Sequence, residues 1–143
     1  MQIPMRWLGW IGGAALCLGM ALPPIGSEPA GPLQDDYEAS RQRGKEVYFL
    51  YCVTCHLGDG KGTPGVYPPL AGSDFLLEDP GRAARIVKRG LSGPVKVNGV
   101  VYNNNMTALG LDDQEVADVL NYILSAWGNR AERRFTAAEI AAY

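Results

Sequence analysis

A chain that carries Cys52-Val53-Thr54-Cys55-His56 has few ways to fold around it. Two cysteines separated by two residues and followed at once by histidine form the attachment signature for c-type haem. Each thiol adds to one vinyl group of the porphyrin, and the adjacent imidazole is held over the iron as an axial ligand. Such a chain must build a housing for a flat, apolar macrocycle against one short turn of backbone. Competing readings of the cysteine pair fail on context. A thioredoxin-like redox pair wants a preceding strand and a βαβ pattern, whereas a helix precedes here. A structural zinc site needs four ligands, and a simple disulfide has no use for the histidine.

The N-terminus sets the inventory of ligands. Arg6 is followed by an uncharged run from Trp7 to Leu22, closed by Pro23-Pro24. Positive, apolar, then helix-breaking and small is the order of a secretory signal peptide, and the run falls short of the roughly 20 residues that comfortably span a bilayer. Residues 1–27 are read as a signal peptide, with retention as a membrane anchor as the alternative. Cys17 follows Leu16 where a lipoprotein signal wants a small residue, which argues against lipidation. Export places the chain where free thiols seldom persist. Without residues 1–27 the chain keeps two cysteines, Cys52 and Cys55, one histidine, His56, and one methionine, Met106. Its net charge, −2 for the whole chain, becomes slightly more negative when Arg6 is lost, which excludes the polycationic character expected of a nucleic-acid partner.

Residues 28–34, with Pro29, Gly31 and Pro32, read as a linker. Asp35-Asp36 then stands where a helix cap belongs, and apolar residues at helical spacing follow up to Tyr51, with Gly44 in the interior. From Leu57 to Gly72, five glycines and three prolines exclude both a helix and a central strand. This loop is expected to wrap the proximal side of the haem, one proline carbonyl accepting the His56 imidazole proton. Ser73 to Glu78 reads as one or two helical turns. Asp79-Pro80 opens a clearer helix that ends at Gly90. Its Arg82, Arg85, Lys88 and Arg89 form a basic face, read either as a docking patch for an acidic partner or as a solvated face with one arginine reaching a haem propionate. Val95 to Tyr102 around Asn98-Gly99 is a hairpin signal. It delivers the chain to a polar loop holding Met106, 50 residues after His56 and the only soft ligand left, hence the expected second axial ligand. Asp112 with Glu115 forms a capping box for a last long helix whose apolar stripe reaches Trp127 and stops at Gly128-Asn129, and Thr136 with Glu139 repeats the signal for a short terminal helix. His/Met ligation closes both axial positions and favours outer-sphere electron transfer over oxygen or peroxide chemistry.

From about Asp35 to the C-terminus the chain resembles bacterial class I cytochromes c of the short, single-haem periplasmic respiratory type. The resemblance is carried by Gly44 and Tyr48 before the Cys52 to His56 motif, by Val66-Tyr67-Pro68-Pro69-Leu70-Ala71-Gly72, and by Gly93-Pro94-Val95. It continues through Val97-Asn98-Gly99, Tyr102-Asn103 ahead of Met106, and Val119, Tyr122 and Trp127-Gly128-Asn129. It implies an all-α fold of three to five helices around one covalently bound haem c, spanning residues 35–143, with a short β-hairpin before the methionine loop. It also implies that Gly44 and Tyr48 cross the last helix at Val119 and Tyr122, and that the Pro68 carbonyl receives the His56 proton.

The function implied is a periplasmic electron carrier without bond-making catalysis. Its partners would be redox proteins, such as an oxidase, dehydrogenase, nitrite reductase or cytochrome bc complex. The alternatives are a cytochrome subunit bound within an oxidoreductase complex and, from a different class, a haem enzyme or gas sensor with Met106 off the iron. Two positions depart from the family pattern: Leu57 stands where glycine usually follows the histidine, and Thr107 where proline often follows the methionine.

Overall fold

A computed structural model describes residues 32–143. The expected signal peptide lies outside the described residues. Helix α1, Pro32–Tyr51, starts inside the stretch read as linker, three residues ahead of the expected Asp35 start. Proline suits that place, because its fixed φ is already helical and its missing N–H would have had no partner in the first turn. One turn, α2, Val53–His56, follows immediately. Next come α3, Asp74–Glu78, and α4, Pro80–Arg89, each opened by a side-chain cap: Ser73 Oγ accepts from Leu76 N–H, and Asp79 Oδ1 from Arg82 N–H. The hairpin β1, Val95–Val97, and β2, Val100–Tyr102, precedes α5, Asp113–Ile123, and the single turn α6, Ala137–Ile140. The result is the expected helical fold with one small antiparallel ribbon.

The hairpin follows from its turn. Asn98 and Gly99 have φ of 49° and 82°, the left-handed pair that matches strand twist in a tight primed turn. Register pairs Val95 with Tyr102 and Val97 with Val100, which puts these four on one face; Val97 and Tyr102 are buried there, whereas Val100, beside the turn, and Val101, on the other face, are exposed. Asn98 also ties the ribbon down, since its backbone N–H donates to Asp74 Oδ1 (2.7 Å) and its side-chain amide to the Gly72 carbonyl (3.1 Å).

The core sits where α1 crosses α5. Tyr48, Val116, Leu120 and Leu124 are fully buried there, with Val47, Val119 and Ile123 beside them. Each such side chain contributes about 1.5–3 kcal/mol by leaving water. Gly44 sets the crossing, because a Cβ there would lie 1.9 Å from the Asp118 carbonyl oxygen and 2.9 Å from the Val119 amide nitrogen. One turn on, the Tyr48 and Tyr122 rings lie 5.5 Å apart. Beside the crossing, Asp118 is buried yet fully partnered: it accepts from Ser40 Oγ (2.6 Å), Arg43 Nε (2.6 Å) and Gln114 Nε2 (2.9 Å). Pairing of this kind is what makes a buried carboxylate tolerable.

Helix α5 is shorter than its apolar stripe, ending at Ile123 and not at Trp127. Side chains take the carbonyls that would have continued it. Ser125 Oγ donates to the Asn121 carbonyl (2.8 Å), and Asn129 Nδ2 to the Ile123 carbonyl (2.7 Å). The same asparagine reaches the long loop, accepting from Gly72 N–H (2.8 Å) and donating to the Leu70 carbonyl (3.0 Å).

The basic face of α4 is partly spent on contacts within the fold, with Arg85 and Arg89 still exposed. Lys88 Nζ pairs with Asp113 (2.8 Å) and donates to the Ile140 carbonyl (3.0 Å), Arg85 lies 3.5 Å from Asp79, and Arg89 donates to the Tyr143 carbonyl. Lys88 and Arg89 thereby hold α5, α6 and the end of the chain against α4, a long-range use that helical spacing alone does not reveal.

Candidate haem site

The Cys52 to His56 stretch closes α1 and forms α2, so its geometry is helical: the His56 N–H donates to the Cys52 carbonyl at 2.9 Å. Cys52 and Cys55 are half-buried free thiols. Burial, with Cys55 adding to it, pushes the Cys52 thiol up to about 11, so at neutral pH it is protonated.

His56 is buried, and its Nδ1 lies 2.9 Å from the Pro68 carbonyl oxygen. A carbonyl can only accept, so Nδ1 carries the proton and Nε2 is the nitrogen left for a metal. Burial lowers the imidazole from the usual histidine range, against the opposing pull of the Pro68 carbonyl, and the neutral ring is the form that ligates. The loop brings Pro68 to the ring by folding on itself. Gly62 N–H donates to the His56 carbonyl (3.0 Å), and Thr63 N–H to the Tyr67 carbonyl (2.9 Å). Gly62 must be glycine for this, since its φ is +62° and a Cβ would stand 2.5 Å from the Pro68 carbonyl oxygen.

Leu57 answers the first departure from the family pattern. Its φ of 62° and ψ of 165° belong to a region that favours glycine, and its side chain is exposed. The strain is held by two hydrogen bonds. Leu57 N–H donates to the Val53 carbonyl (2.9 Å), and the fully buried Tyr48 hydroxyl donates to the Leu57 carbonyl (2.6 Å). Leu57→Gly is therefore expected to raise holoprotein stability by about 1 kcal/mol, as backbone strain of this kind costs about 1–3 kcal/mol and the added chain entropy of glycine returns part of it. Equilibrium denaturation checks this, and a less stable variant would show that Leu57 is not strained. Thr107, the second departure, is exposed.

Met106 arrives from the far side of the fold. An isolated antiparallel bridge fixes it: Leu91 N–H donates to the Met106 carbonyl (2.7 Å), and Met106 N–H to the Leu91 carbonyl (2.9 Å). Leu91 was not among the residues singled out by the sequence, because a single long-range bridge leaves no periodic trace. His56, Pro68 and Met106 line one apolar cavity together with Cys52, Leu70 and Val119, and that cavity encloses about 710 Å³ of space between its walls, part of it open to solvent. A second cavity shares His56, Pro68 and Met106 and is walled by Cys55 and Tyr67. The structure thus brings all five expected site residues to one place.

On the outer side of Tyr48, an aromatic cluster closes the wall. Trp127 lies 5.0 Å from the Tyr48 ring and 5.5 Å from Tyr122, and its Nε1–H donates to the Gly58 carbonyl (3.0 Å). The residues after α5 are so tied to the loop after His56.

The family model for cytochrome c matches residues 41–127. Cytochrome c-552 of Thermus thermophilus is 39% identical over 106 residues, covering 68% of this chain and 80% of that protein. The chain belongs to the cytochrome c family. Two further relatives are larger. The cytochrome c subunit of a quinone alcohol dehydrogenase from Gluconobacter oxydans is 36% identical over 104 residues, 68% of this chain and 21% of that one. The gluconate 2-dehydrogenase cytochrome c subunit of Pantoea cypripedii is 36% identical over 104 residues, 70% of this chain and 23% of its own length. Haem c is the group that cytochromes c carry. The residues fit it: an apolar cavity, a neutral imidazole with Nε2 unclaimed and a thioether on the same walls are the donor set that haem iron takes.

Proposed function

We propose that this cytochrome c is an exported single-electron carrier with one haem c, attached through Cys52 and Cys55 and ligated by His56 and Met106. The observation that carries the reading is the convergence of the only histidine and the only described methionine on the cavity beside the two thiols. Bound haem supplies an iron that takes up and gives back one electron. The protein's part is to hold its surroundings still. The Pro68 carbonyl fixes the His56 ring and raises its basicity, the Leu91 bridge fixes the Met106 backbone, and the apolar walls keep water from the ligands. With both axial positions filled, the site has no place for substrate, so the protein performs no bond-making catalysis of its own.

The partners are redox proteins. Free carriage between them is the first reading. Residence in a dehydrogenase complex is the second, favoured by the resemblance to the two dehydrogenase subunits. Residues 1–27 act as the export signal in this reading, and among the described residues no helix is long and apolar enough to cross a membrane.

Expression in a host that matures c-type cytochromes tests the reading. Haem that stays on the chain through acid-acetone extraction and a reduced form that does not bind carbon monoxide are expected. Extractable haem would remove the covalent attachment, and rapid carbon monoxide binding would remove Met106 from the iron. Mass measurement of the exported protein locates the cleavage, and a stable co-purifying dehydrogenase would decide for the second reading.

A further inference from the structure

We propose that Asn104 is a positioning residue for Met106, a clasp that keeps the methionine loop closed on the histidine loop. The inference rests on the haem reading above and assigns a residue outside both the attachment motif and the ligand pair. The second of the two cavities that His56 and Met106 share has walls from two distant parts of the chain, one running from Cys55 to Pro68 and the other from Leu91 to Met106. The Pro68 bond to His56 and the paired bonds of Leu91 and Met106 each stay within one wall. Among the described residues, one hydrogen bond joins the lining of the first wall to that of the second: Asn104 Nδ2 donates to the Val66 carbonyl at 3.0 Å. Both partners are exposed, so the bond lies on the rim of the cavity.

Its place in the chain gives it leverage. Residues 103–105 have no regular structure and are pinned at one end by β2, which stops at Tyr102, and at the other by the bridge at Met106. Asn104 is the middle residue of this short arch. On the other wall Val66 is held in turn, its N–H donating to the Thr63 carbonyl (2.9 Å) in the same turn that leads to Pro68. The clasp therefore joins the turn that places the histidine's acceptor to the arch that delivers the methionine. A segment held only at its ends opens at low free energy, and a bond at mid-arch must be broken each time it does. Thioether is a soft ligand and ferric iron the harder state, so the ferric protein is where Met106 leaves most easily and where the clasp matters most.

The test uses the ferric holoprotein and cyanide, which reaches the iron only after Met106 has left it. Asn104→Ala and the equally shaped Asn104→Asp, which has no N–H to donate, are expected to speed cyanide binding about two- to tenfold, the factor that one net hydrogen bond carries. Asn103→Ala, at an exposed neighbour that does not line the cavity, should leave the rate unchanged. Low urea separates opening of the arch from unfolding of the chain. Opening three residues exposes little surface, so the acceleration should be the same with and without urea, whereas a merely structural role would make it climb with urea as global unfolding does. Rates equal to that of Asn103→Ala, or an acceleration that emerges only as urea rises, would overturn the proposal. A wild type that carries no haem, or that takes up cyanide as fast as Met106→Ala does, would instead refute the haem and ligand reading itself.

Discussion

Met106→Ala should give a protein that still folds and still carries haem but has lost its electron-carrier character. The ferric form is expected to lose the far-red methionine-to-iron band, the ferrous form to bind carbon monoxide, and the midpoint potential to fall by on the order of tenths of a volt, since the methionine ligand is what raises it. The fold should survive because Met106 is held through its backbone, by the paired bonds to Leu91, and the substitution leaves both in place. The cost is the packing of one half-buried side chain, about 2 kcal/mol, at the low end for such truncations. Optical spectra and redox titration check the result. An unchanged far-red band would mean that a group other than Met106 sits on the iron.

Gly44→Ala should be the most destructive glycine-to-alanine change among the described residues. In an ordinary helix interior the substitution stabilises by up to about 1 kcal/mol. Here the new Cβ would meet the backbone of α5, the Asp118 carbonyl carbon at 2.4 Å as well as its oxygen. Backbone cannot swing aside as a side chain can, so α1 and α5 must part and loosen Tyr48, Leu120 and Asp118 together. A loss of about 3–5 kcal/mol is expected in denaturant unfolding of the holoprotein, the upper range for overpacking and strain. Gly58→Ala is the internal control: its Cβ would find only the Phe49 ring edge at 3.9 Å, an ordinary contact, and should cost little. Comparable losses in the two variants would refute the account of the crossing.

Local signals in the sequence translated well into local structure. Asp112 with Glu115 and Thr136 with Glu139 both form reciprocal capping boxes, Asn98-Gly99 makes the primed turn, and Asp79-Pro80 opens α4, because each depends on residues within about one turn of chain. The His56 side of the candidate site is similarly readable, since Cys52, Cys55 and His56 lie within one turn of chain. What the sequence held back is long-range. The cations of α4 read as a surface feature until Asp113, Ile140 and Tyr143 are seen against them. Arg43 and Asp118 carry no sign, in either segment, that they meet. Leu91 looks like a residue after a helix stop and proves to hold the backbone of Met106. The crossing at Gly44 was legible only through the family resemblance; its physical reason, the Asp118 and Val119 backbone of α5 against it, appears in the fold.

The three side-chain bonds of Asn129 have a consequence for how the molecule opens. They join the end of α5 to Leu70 and Gly72 in the loop that carries the Pro68 carbonyl. Amide hydrogen exchange reports opening in cooperative units. The Gly72 amide should therefore share its exchange free energy with amides of α5 and not with the exposed loop around it. Fraying of α5 and release of the histidine's hydrogen-bond partner become one event, and the loop after His56, though it has no regular structure of its own, opens only when the helical scaffold does.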